Sequence, residues 1–507
     1  MPMIKGEKMM KKTCMQSLVL VVFLIFMFGC AKDVQQEYLP DWESLSKHNE
    51  APQWFRDAKF GIYFHWGVYS VPAYNSEWYP RHMHMTDHEV YQYHVKTYGE
   101  PSEFGYHDFI PMFKAEKFNA DEWAELFKNA GARFAGPVAE HHDGFSMWDS
   151  KLTPWNSMIK GPKRDITGDM ARAVRAHGMK FITTFHHAFN FQHHPHPVDD
   201  KATGYYTNVE GWPTASNDPE LRLLYGNLAA TEFYTLWKGK LFEVIDNYRP
   251  DLIWFDFVLG DIPEQHRMEF LAHYFNKAFN WNQEVVVTFK GDDLPKEVGV
   301  EDFEKGRLDH LTEYPWLTDD TISWGSWCYT QDLEIKTFKT VLHTLIDIVS
   351  KNGVLLLNIS PMADGTIPEN QEQILLDLGQ WLNINGEAIY STRPWKVYGQ
   401  GPTKMEKSGH FVGRVDYTAE DIRFTSSKDQ KTLYAIVLGT PGKSLTIQGA
   451  RVSNIDQDAE VILLGSDQEI EFNLDDEQNL RILPSLLLSE EDAYVFKISG
   501  FTFELIR

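Results

Sequence analysis

Short runs of consecutive apolar residues alternate along this chain with longer stretches whose apolar positions recur every three or four residues. The runs at 60–64 (FGIYF), 134–139, 180–185, 252–255 (LIWF), 284–289 (EVVVTF) and 354–359 (VLLLNI) lack the apolar–polar alternation of a half-exposed strand. They read as strands buried on both faces, the habit of a parallel sheet. Between them, 120–130 has Asn119 as N-cap and Gly131 as its stop, and 169–177 stops at Gly178. The stretches 231–247 and 371–385 carry the same helical signature, the second ending at Gly386. Strand and helix in alternation predict an α/β fold, a (β/α)8-like TIM barrel over residues 50–395. Six or seven strands are legible and the eighth is not. Beyond Trp395 the helical period disappears, and short runs such as 433–438 and 459–464 sit between turn residues. Residues 396–507 therefore read as an antiparallel β-sandwich.

Composition narrows the partners. The 507 residues are 43% hydrophobic, enough for a large core and two domains. Formal net charge is −24, which repels nucleic acid and anionic membrane surfaces and leaves a neutral substrate at ease. Aromatic residues make up 14%, with 16 Trp, a supply that suits stacking on the C–H faces of sugars as well as packing a large barrel. Lys5, Lys8, Lys11 and Lys12 precede an apolar stretch at 18–28, then Gly29-Cys30. That is the layout of an exported lipoprotein, with 1–29 as signal peptide, Cys30 as the lipidated residue and 30–49 as a tether. It predicts an outer-membrane-anchored or periplasmic location in a Gram-negative bacterium, with membrane contact only through the lipid. Cys14 would leave with the signal, so Cys328 has no partner for an internal disulfide.

The chemistry-bearing residues cluster where the predicted strands end, the face on which barrels of this type carry their sites. Asp256 follows LIWF and is a candidate nucleophile; an Asp there can also simply cap a turn. His65-Trp66 follows the first strand, with Glu77-Trp78 a little beyond. Glu140-His141-His142 follows the second and His186-His187 the third. Imidazoles, carboxylates and Trp rings converging on one mouth could bind several hydroxyls and an apolar sugar face. A metal site is the rival, given 20 histidines. His65 has no His-x-His partner, however, and adjacent histidines in a strand face opposite ways, so His141 and His142 are not expected to chelate one ion.

The segments WFRDAKFGIYFHWG, SEWY, HHDGF with WDS, GPKRD, DLIWFD and NGEAIYSTRPW occur in this order. Together they resemble the family 29 glycoside hydrolases, the α-L-fucosidases, over about residues 50–395, with a looser match to the sandwich beyond. The resemblance implies retaining, exo-acting release of terminal α-L-fucose from an oligosaccharide or glycoconjugate, without a cofactor. It makes Asp256 the nucleophile and Glu304 the first choice for the acid/base, ahead of Glu301 and Glu313. It makes His65, Glu77, Trp78, His141 and His142 the substrate-binding set, with Trp66, Glu140, His186 and Trp327 as further candidates for contact with substrate. Departures from the family pattern are Glu140 where many relatives have Lys, Phe257 where many have Gly, and Leu317 after Trp316. A glycan-binding lipoprotein without turnover, a metal-dependent barrel hydrolase, and a glycosidase for a related 6-deoxy or galacto-configured sugar remain alternatives. Oligomeric state is not legible.

Overall fold

The apolar runs pair side by side and all parallel, each covered on its outer face by helices. The computed structural model describes residues 37–193, 211–466, 469–484 and 491–506. The expected signal segment and Cys30 lie outside the described residues. The barrel strands are β1 (Phe60–Phe64), β2 (Phe134–Glu140), β3 (Lys180–Phe185), β4 (Leu252–Phe255), β5 (Val286–Phe289), β6 (Val300–Glu301), β7 (Trp316–Thr321) and β8 (Gly353–Ile359). Their order is β6-β5-β4-β3-β2-β1-β8-β7. A parallel bridge between Asp302 and Leu317 joins the two edges and closes the sheet into the expected barrel.

The main outer helices are α1 (Ala120–Asn129), α2 (Ile166–Ala176), α3 (Ala230–Tyr248), α4 (Glu264–Trp281), α5 (Phe338–Ser350) and α6 (Glu369–Asn385). Asn119 caps α1 as expected, accepting the Asp121 N–H. The second helix starts at Ile166 rather than 169 because Asp165 is its cap, accepting from the Gly168 N–H. The strands that sequence left obscure are β6, only two residues long, and β7, whose WLTDDT carries two carboxylates. Both Asp residues are buried and ion-paired, Asp320 with Lys336 at 2.7 Å and Asp319 with Lys290 at 3.6 Å. Partners supplied from elsewhere in the chain make a polar strand tolerable in the core.

Alternation along each strand separates two layers of apolar packing. Tyr63, Phe134, Ile182, Trp254, Val286, Leu317 and Leu356 fill the barrel interior. Phe60, Ile62, Phe64 and their counterparts face the helices. A Cβ at Gly136 would lie 1.7 Å from the Ile182 carbonyl oxygen, so only glycine lets β2 pass β3 there.

The C-terminal part holds two antiparallel sheets. One has five strands in the order β13-β16-β11-β10-β9 and the other three in the order β12-β15-β14. They run from β9 (Arg393–Gln400) and β10 (Ile422–Ser426) through β11 (Thr432–Val437), β12 (Leu445–Thr446) and β13 (Ala450–Leu463). The last are β14 (Glu471–Leu474), β15 (Leu480–Leu483) and β16 (Tyr494–Leu505). In β11, Leu433, Ala435 and Val437 face the sandwich core while Tyr434 and Ile436 join the barrel's outer layer. The sandwich is thus docked on the barrel. Asp347 of α5, fully buried, pairs across this junction with Arg423 of β10 at 2.6 Å. Cys328 is free and buried, and no helix among the described residues is long and apolar enough to cross a membrane.

Candidate active site

Extending the inward register of each strand by two residues generates the site. Tyr63 is followed by His65, Trp254 by Asp256, Val300 by Asp302, Leu317 by Asp319 and Leu356 by Asn358. On β3 and β5 the same phase runs from Ile182 to His186 and from Val286 to Lys290. The polar groups are the top layer of the barrel filling, at the C-terminal ends of the strands.

One cation organises the carboxylates. Lys290 Nζ lies 3.2 Å from Asp256 Oδ1 and 2.8 Å from Glu304 Oε2. It lies 3.6 Å from both Asp302 Oδ2 and Asp319 Oδ1. Burial works against its charge, but the surrounding carboxylates, Asp319 and Asp256 first, hold its pKa well above the usual lysine value. Burial would likewise raise Asp256. The Lys290 charge and a hydrogen bond from His142 outweigh it and hold the carboxyl below the ordinary range. Glu304 goes the other way. Burial, aided by the charge of Asp256 and opposed by Lys290, pushes it up to about 7. Two carboxyls beside one ammonium are therefore split into an ionised group and one that is protonated up to neutral pH. Asp302 is raised well above its normal value by burial and by the charge of Asp319, whose Oδ2 accepts from the Tyr63 hydroxyl at 3.1 Å.

Histidines form the opposite wall. His142 Nδ1 donates to the His186 carbonyl at 2.6 Å, which aims Nε2 at Asp256 Oδ2, 3.3 Å away. His65 lies 2.8 Å through Nδ1 from Asn358 Oδ1. Burial lowers the pKa of His65, and lowers His141 and His186 far more, leaving neutral rings to meet hydroxyl groups. One nitrogen each of His65, His141 and His186 lies within 4.8 Å of the others, so this trio could also close on one transition-metal ion. The expectation that His141 and His142 face apart is corrected. Both lie beyond the last strand residue, where strict alternation no longer holds, and their ring centroids are 4.4 Å apart.

Glu77 is buried and accepts from Ser326 Oγ at 2.9 Å and the Trp327 N–H at 3.0 Å. Trp327 packs against His65 at 5.4 Å. Trp78 lies 5.3 Å from His142 and stacks on Phe257, which widens the aromatic wall.

Two family models match the chain. The profile described as Alpha-L-fucosidase matches residues 25–387, and that of the alpha-L-fucosidase C-terminal domain matches 415–499. The chain belongs to the alpha-L-fucosidase family. It is 31% identical over 476 residues to the tissue alpha-L-fucosidase of Bos taurus, covering 91% of each chain. It is 30% identical over 499 residues to the human tissue alpha-L-fucosidase, covering 95% of this chain and 97% of that one. Its fold is similar to the Thermotoga maritima alpha-fucosidase solved in complex with fucose, with a TM-score of 0.71 and 32% identity. The match covers 91% of this chain and all of that one.

Against this fucosidase frame, several expected residues fall elsewhere. Trp66 is not in the mouth: it shares the outward phase of Phe64, packs on Phe113, Phe118 and Trp123, and donates to the Met362 carbonyl. Glu140 is not a substrate contact either. A bulge between Val138 and Glu140 shifts the phase of β2. The carboxylate turns outward to Lys240 of α3 at 2.6 Å and to the Ser146 hydroxyl. Glu301 pairs at the surface with Lys296, and Glu313 is exposed, so neither stands beside Asp256. Lys290, Asp302, Asp319 and Asn358 were missed. Asp302, Asp319 and Asn358 could have been found by counting two residues past the last inward apolar position of their strands, and Lys290 by counting four past Val286.

Proposed function

We propose that this protein is a retaining α-L-fucosidase that releases terminal fucose from glycans, with Asp256 as nucleophile and Glu304 as acid/base. The observation that carries the reading is the opposed pair of carboxyls on Lys290. The two Lys290 contacts place an Asp256 oxygen and a Glu304 oxygen within about 6 Å of each other, near the ~5–5.5 Å of retaining enzymes and short of the ~6.5–9.5 Å of inverting ones. Asp256, ionised, attacks the anomeric carbon as Glu304 protonates the departing oxygen. Glu304, now a carboxylate, then takes a proton from water as that water displaces the enzyme carboxylate. His65, His141 and His186 offer ring nitrogens to the hydroxyls, His142 orients Asp256, Glu77 adds a carboxylate, and Trp78 and Trp327 offer apolar faces. The His65, His141 and His186 trio keeps a metal-dependent hydrolase as the second reading, one that inactivation by a strong chelator would favour. Loss of lipid labelling on Cys30→Ala is the expected result if Cys30 is a lipid anchor.

The deciding experiment uses Asp256→Ala and Glu304→Ala. The first should abolish fucose release and regain turnover with azide, giving the inverted β-fucosyl azide. The second should lose about 10²–10⁴-fold on poor leaving groups and far less on activated ones. Near-normal activity in Asp256→Ala, or an equal loss on both substrate types in Glu304→Ala, would overturn the respective role.

A further inference from the structure

The connection between β9 and β10 leaves the sandwich and runs along the loop that carries Glu304. Gly409 and Arg307 exchange backbone hydrogen bonds at 2.8 and 3.1 Å. The Phe411 N–H donates to the Glu304 carbonyl at 2.7 Å and the Val412 N–H to the Lys305 carbonyl at 2.9 Å. His410 Nδ1 accepts the Glu304 N–H at 3.0 Å, and its ring lies against Phe303. The backbone of Glu304 is thus held on both its N–H and its C=O by residues 410 and 411.

Phe411 is unusual in two independent ways. Its side chain is 57% exposed, the largest exposure among the large apolar residues described. Its backbone is left-handed, with φ of 52°, a conformation that a bulky residue adopts only under constraint. Asn or Gly would fit this turn better, so the aromatic ring is not there for the backbone's sake. A lone exposed Phe is ordinary on a protein surface. One held in a strained conformation against the backbone of the proton donor is not.

We propose that Phe411 is the stacking platform for the first sugar of the leaving group. This rests on Glu304 as acid/base. The glycosidic oxygen must come within hydrogen-bond reach of the Glu304 carboxyl, which is largely buried, so the rest of the leaving group extends toward solvent past the Glu304 backbone. A pyranose presents a C–H face that an exposed ring can cover. Lys305, whose carbonyl accepts the Val412 N–H, has its Nζ 4.6 Å from the Trp327 ring centroid and donates to the Gly325 carbonyl, which links this loop to the fucose pocket. The substrate class is a fucosylated saccharide, in preference to a fucoside with a small aliphatic aglycone.

The test compares kcat/KM for the best of a panel of α1,2-, α1,3-, α1,4- and α1,6-fucosyl disaccharides with that for methyl α-L-fucoside. Both need a proton from Glu304, but only the disaccharide has a ring to stack. In Phe411→Asn, which keeps the left-handed turn, the disaccharide-to-methyl ratio should fall about five- to tenfold, and Phe411→Tyr should restore it. Phe411→Gly, read with its thermal midpoint, repeats the test with a relaxed backbone. An unchanged ratio, or an equal loss on both substrates, overturns the proposal, the second outcome leaving Phe411 only a support for Glu304. A folded wild-type protein that releases fucose from neither substrate overturns the fucosidase reading and this inference with it.

Discussion

Replacing Lys290 with Met removes a charge from the centre of the site while nearly keeping the side chain's volume. At 3.2 Å from Asp256 and 2.8 Å from Glu304, each attraction comes to about 5–6 kcal/mol at an effective dielectric near 20. That is roughly 4 pKa units if nothing else responds. Relaxation of the site and entry of water reduce the observable shift to about half of that. Under the proposed mechanism, turnover of the wild type needs Asp256 ionised and Glu304 protonated. The alkaline limb of kcat/KM should therefore fall with a midpoint near pH 7, and the acid limb should lie below the ordinary carboxylate range. Lys290 lowers both carboxyls, so its loss raises both. The acid limb should climb by about 2 units into the measurable range, and the alkaline limb should move above 7. The assay is kcat/KM for an aryl α-L-fucoside across pH, with circular dichroism to confirm folding at each point. A folded variant whose acid limb stays in place would refute Lys290 as the cation that keeps Asp256 ionised.

Two buried ion pairs make predictions about stability. Lys240→Met strands Glu140 in the layer between barrel and α3 and should cost about 3–5 kcal/mol in chemical denaturation, while adding Glu140→Gln should recover most of it. Asp347→Asn strands Lys351 and Arg423 at the junction of barrel and sandwich and should also cost about 3–5 kcal/mol near neutral pH. Burial would raise the Asp347 carboxyl, but Lys351 and Arg423 hold it well below its usual value. Its contribution is therefore present above the unfolded pKa and lost as pH falls through the folded one. The difference between wild type and Asp347→Asn should accordingly shrink in acid; a difference that grew there would contradict the assignment.

The main architecture was legible because it rests on local pattern. Apolar runs buried on both faces, separated by helical periods with recognisable caps, specify parallel strands and their covering helices whatever their distant partners. The same holds for Asp256, His65 and His186, which sit in phase with the inward residues of β4, β1 and β3. Trp66 obeys that same rule against the expectation of a substrate contact, since alternation puts it outward with Phe64. The strands that escaped notice, β6 and β7, are the shortest and the most polar. Their burial depends on Lys290 and Lys336, which no window of sequence around residues 300 or 319 contains.

The sequence by itself determined the strand-and-helix alternation, the family resemblance and the inward phase of the residues at the strand ends. Only the tertiary structure decided their chemistry. It separated Glu304 from Glu301, which lies three residues away but pairs with surface Lys296. It turned Glu140 out to Lys240 through a bulge, and it shifted the Asp256 carboxyl down and the Glu304 carboxyl up from the ordinary range. It also brought residues 410 and 411 onto the backbone of residue 304. The reason is physical: pattern records which way a side chain faces, whereas a pKa or an ion pair depends on the distance to charges that the fold brings from far along the chain.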